Sequence, residues 1–112
     1  MLTHAELASY VAGLDDAELV EFAARITAWR LAMQGTEYDE SRQLVIRALA
    51  SVSNGFADRG WSTTDSNGSL MDPASPWGRA HARARELLAD LTPERARKQI
   101  AAWARTVCLQ TA

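Results

Sequence analysis

The sequence predicts an all-α fold, a single-domain irregular bundle of about five helices with one long loop at about 56–75. Three observations carry that expectation. Apolar residues recur at spacings of three and four over most of the chain, the period of a helix face. Helix-start signals occur at four places, each a capping residue followed by the residues that reinforce a cap. The chain has 112 residues and is 47% hydrophobic, enough for one core without disulfides or metals and too apolar for a disordered chain.

The first two helices, expected at about 3–13 and 16–33, open with the same signal. Leu2-Thr3-His4-Ala5-Glu6-Leu7 returns as Leu14-Asp15-Asp16-Ala17-Glu18-Leu19. Thr3 or Asp15 can accept from the first unpaired amides, while Glu6 or Glu18 reaches back from three residues on. The flanking leucines stand where a hydrophobic staple needs them. In the second helix, Leu19, Phe22, Ile26, Trp29 and Met33 form one stripe, which Val20, Ala23, Ala24 and Leu31 widen. A helix so apolar around its girth is expected to be central, packed by several neighbours.

Gln34-Gly35-Thr36 breaks the pattern, and a third helix is expected at about 38–53. Its inward stripe reads Tyr38, Val45, Ala48, Leu49 and Val52, with Asn54-Gly55 as its stop. Residues 56–75 follow neither a helical nor a strand period and are rich in Gly, Ser, Thr, Asn and Asp. Connections of that length are uncommon in compact domains and are usually functional or disordered. Ser75-Pro76 opens a fourth helix (about 76–91) with a buried stripe of Trp77, Ala80, Ala84, Leu87, Leu88 and Leu91. Thr92-Pro93 opens a fifth (about 93–109), with Ala96, Ile100, Trp103, Ala104 and Val107 facing inward.

Three surfaces are candidates for partner binding. The net charge of −2 is unevenly spread: residues 1–40 hold eight acids and two arginines, whereas residues 41–112 hold ten basic residues and six acids. Arg79, Arg83 and Arg85 on the fourth helix and Arg95, Lys98 and Arg105 on the fifth form a basic face suited to phosphates or an acidic protein. Its bland alternative is a solvated face laced with ion pairs. The loop brings Phe56, Trp61, Leu70 and Met71, residue types that gather at interface centres; alternatively Trp61 folds back as a lid on the core. Glu37, Asp39 and Glu40 form an acidic cluster, either a docking patch for a basic partner or a favourable charge at a helix start.

Chemistry finds little footing. His4 and His81 stand in no metal-ligand spacing, and no glycine-rich phosphate cradle occurs. The lone cysteine, Cys108, reads as a small core residue. No catalytic residue, metal or cofactor is expected, and no membrane span or secretory signal. The resulting expectation is a cytoplasmic, non-enzymatic helical binding protein of bacterial or phage type: an adaptor, regulator or inhibitor that docks onto a larger protein. Nucleic-acid binding through the last two helices is the runner-up. Symmetric self-association, acidic face to basic face, is the third reading.

Overall fold

Capping chemistry written in the sequence is realised in the computed structural model, which describes residues 2–63 and 72–111. Leu70 and Met71, expected at a loop docking surface, lie outside the described residues. Helix α1 (His4–Ala12) starts on Thr3, whose Oγ1 accepts from the Glu6 N–H at 3.1 Å while the Glu6 carboxylate accepts from the Thr3 N–H at 3.0 Å. Helix α2 (Asp16–Ala32) repeats the arrangement with Asp15 and Glu18, at 2.8 and 2.9 Å. The Leu2 and Leu7 staple is fully buried, so the first cap is also an anchor to the core.

Helix α3 spans Glu40–Asp58, shifted from the expected range at both ends. At its start, Asp39 is the cap, accepting from the Arg42 N–H, so Tyr38 precedes the helix and is 56% exposed rather than part of the inward stripe. At its end, Asn54-Gly55 does not stop the helix. Gly55 is buried mid-helix, where a Cβ would stand 2.7 Å from the Val11 side chain. The glycine is there to let α1 approach α3, and the helix ends instead at Arg59 and Gly60, whose φ of +73° supplies the left-handed turn. The loop expected from residue 56 therefore begins beyond the helix end.

Helix α4 (Pro76–Leu88) is capped by Ser75 and ends three residues before its expected limit, leaving Leu91 half-buried in the joint. Helix α5 spans Pro93–Thr111, with Thr92 Oγ1 accepting from the Arg95 N–H. Among the described residues there are five helices and no strand, and no helix is long and apolar enough to cross a membrane.

Helix α2 is central, as its wide apolar girth predicts: α3, α4 and α5 all pack on it. Its contact with α4 runs along Ala24, Ala28 and Ala84, small side chains that bring the helices close. On its other side, Trp103 of α5 meets Phe22, Trp29 and Tyr10, with ring centroids 5.3, 5.8 and 5.9 Å away. The Trp29 Nε1–H donates to Gln99 Oε1 at 2.8 Å, which satisfies a buried indole and fixes the register of α5 on α2. Helix α1 closes the core against α3 and α5.

Candidate functional site

Of the three surfaces expected from the sequence, the basic one is least unified. Arg79, Arg83, Arg85, Arg95, Lys98 and Arg105 are all exposed. However, α4 spends its packing surface on α2 and α5 spends its own on α1, α2 and α3, so the two helices make no broad contact within the described residues. Arg83 is divided between Glu21 of α2, at 3.3 Å, and Glu86 one turn on, at 3.0 Å. Arg79 donates to the Ala74 carbonyl and Arg95 to the Asp90 carbonyl. These contacts draw part of the positive field back onto the protein.

The acidic cluster is divided likewise. Asp39 accepts from the Arg42 backbone N–H and from Arg97 Nε at 2.8 Å, tying the start of α3 to α5. These two bonds, the backbone one foremost, hold its carboxyl below the usual range against the opposing effect of partial burial. Glu37 and Glu40 remain exposed.

In the loop region, Phe56 lies inside α3 and is fully buried, so it has no surface for a partner. Trp61 is half-buried, edge-on to Phe56 at 5.3 Å with the Arg59 guanidinium 5.7 Å from its ring centre. It packs back on the core, the arrangement of a lid. Trp77 reaches the same phenylalanine from α4 and touches His81, with centroids 4.6 Å apart. Burial, and then the charges of Arg30 and Arg85, lower the His81 pKa from its ordinary 6.5. The buried His81 Nε2 meets no hydrogen-bond partner among the described residues. Among the described residues no group of acids, histidines and cysteine could hold a metal ion.

A fourth surface, not anticipated from the sequence, is an open apolar groove of about 510 Å³ between the start of α3 and the second half of α5. Leu2, Leu44 and Ile100 lie along it and are themselves buried, so they form its floor. Ala101 and Ala104 keep the α5 wall low, and Leu109 stands at its end, 80% exposed. Glu40 on the α3 side and Arg105 on the α5 side give the rim one charge of each sign. Cys108 is here too, exposed on the rim rather than in the core where its apolar neighbours suggested it. It follows Val107, the last inward residue, and one further step of helical rotation turns it out.

A volume of this size falls within the range of ligand pockets, and the lining is mostly apolar, with Glu40, Ser41, Arg105 and Cys108 as its polar members. The floor is apolar, the α5 wall is low, and Glu40 and Arg105 carry the charges of the lining. One signal for it exists in the sequence: Leu109 falls outside the 96, 100, 103, 107 stripe, a large apolar residue on a face otherwise of Ala, Arg and Thr. Compared with known proteins, the chain matches no family model, no curated protein and no solved structure, so its surfaces carry the functional reading alone.

Proposed function

We propose that this chain is a non-enzymatic binding protein, an adaptor or regulator, that docks onto a larger protein by taking an amphipathic helix into the groove between α3 and α5. The observation that carries the reading is the groove itself: a trough floored by the buried Leu2, Leu44 and Ile100, with the exposed Ala101 and the 80% exposed Leu109 left in water along it. Large apolar surface left in water costs roughly 25 cal/mol per Å² that burial would recover. The rim adds direction, because Glu40 favours a basic residue on one flank of the incoming helix and Arg105 an acidic one on the other. Nucleic-acid binding finds less support, since Glu21, Glu86 and the backbone carbonyls of Ala74 and Asp90 already engage three of the six arginines and lysines proposed for it.

The test is selection from a displayed library of helical peptides, followed by NMR mapping of the enriched sequences. The expected winners carry apolar residues at i, i+3 or i+4, and i+7, and shift the methyl signals of Leu44, Ile100, Ala104 and Leu109. Enrichment of peptides that leave those methyls unmoved, or no enrichment at all, would overturn the reading.

A further inference from the structure

The helix closest to the required description is one this protein carries itself. Helix α5 shows, outside its buried stripe, the small residues Ala101 and Ala104, then Arg105, then the protruding Leu109. We infer that the groove pairs with the same groove of a second copy of this chain, so that a twofold-symmetric dimer covers the face when no other helix fills it. This inference rests on the groove being a docking surface, and it names an occupant for that surface.

Three features point to a copy as the occupant. A twofold interface is isologous, with the same patch on both sides, and so must carry its own knob and its own hole. Here both lie on one face: Leu109, 80% exposed, adjoins an apolar trough of about 510 Å³. The rim is also self-complementary in charge. A rim of one sign would repel its copy, whereas Glu40 on one wall and Arg105 on the other allow each acid to meet the partner's base. Finally, Ala101 and Ala104 have no bulk to hold a second helix away, so two α5 backbones can approach closely enough for Leu109 to reach a floor of Leu44 and Ile100.

This geometry differs from an acidic region meeting a basic region. It is an apolar contact with charges at its edge, so added salt weakens it only modestly. Self-association and partner docking would then compete for one surface, and the dimer would be the resting form.

Sedimentation velocity on the full chain, from about 1 µM to about 1 mM, reads the monomer–dimer equilibrium directly. A dimer is expected, weakened about tenfold or more by Leu109→Glu, a change at an exposed position that leaves the helical circular dichroism unaltered. Glu40→Arg and Arg105→Glu should each weaken it, and the two together should restore it. As an independent reading, a short bismaleimide should join the single cysteine, Cys108, of two copies in the wild type and not in Leu109→Glu. A monomer at every concentration, or a dimer indifferent to Leu109→Glu and to the charge reversals, overturns the inference. If the chain is monomeric while selected peptides still move the groove methyls, self-pairing alone is overturned; if neither occurs, the docking reading falls with it.

Discussion

Helices α4 and α5 look alike in sequence, each opened by a capping residue and a proline, each amphipathic and each rich in arginine, yet the protein uses them differently. Helix α4 is seated on α2 through Ala84 and ties its outer charge inward, Arg83 to Glu21 and Glu86. Helix α5 inserts Ala96, Ile100, Trp103 and Val107 into the core and leaves Ala101, Ala102 and Leu109 facing water. A basic amphipathic helix is therefore not one kind of object. What separates the two is whether the second face of the helix finds a partner within the chain.

The largest effect expected from breaking this contrast is at Trp103, the residue that holds α5 in place. Trp103→Ala removes a ring in contact with Tyr10, Phe22 and Trp29. It should cost about 3–5 kcal/mol, read as a lower urea midpoint, and abolish groove binding by loosening α5. An unfolding midpoint within error of wild type would mean that α5 is not anchored by this cluster.

A smaller and sharper test places the same substitution on each helix. Ala84 is buried in the α2 contact, so Ala84→Leu should overpack it and cost about 1–3 kcal/mol. Ala104 lines the groove and is only half-buried against the core, so Ala104→Leu should cost less than Ala84→Leu while filling the trough and blocking peptide or self-pairing. Equal destabilisation by both would show that the α5 face is packed rather than open.

The smallest expected effect lies on α4 at His81, whose folded pKa is below its ordinary 6.5 through burial, with Arg30 and Arg85 adding to it. Near pH 6.5 the unfolded chain takes up this proton while the folded chain does not. Stability is therefore full above that pH, declines as pH falls below it, and levels off once folded His81 is protonated too. Urea unfolding at about pH 7.5 and about pH 5.5 should show the decline, and His81→Gln should flatten it; an identical decline in the variant would assign the effect to other groups.

Much of the fold was legible because the signals involved are local. Thr3 with Glu6 and Asp15 with Glu18 cap within three residues of themselves, and those bonds form wherever the rest of the chain goes. The stripe of Leu19, Phe22, Ile26, Trp29 and Met33 needed only helical geometry to become one buried face. Gly55 was misleading because a glycine that ends a helix and a glycine that admits a neighbour look the same in sequence; only the Val11 side chain tells them apart. The candidate site was less legible still. Leu44 and Leu109 are far apart in the chain, and nothing near either indicates the other.

The sequence by itself determined that this protein is helical, where four of the five described helices begin, which helix is central and that the α2 stripe is buried, because capping and amphipathic periodicity act over one or two turns. The start of α3, the exposed Tyr38 and the buried Phe56 fell outside it. Tertiary structure alone decided which charges are spent internally, that Trp61 packs back on Phe56, and that the α3–α5 face is an apolar trough. Those outcomes depend on which elements meet, and the energy of a meeting is carried by side chains from distant parts of the chain. Asp39 illustrates both halves: its place as a helix cap is set by the three residues after it, and its ion pair with Arg97 only by the packing of α5 against α3.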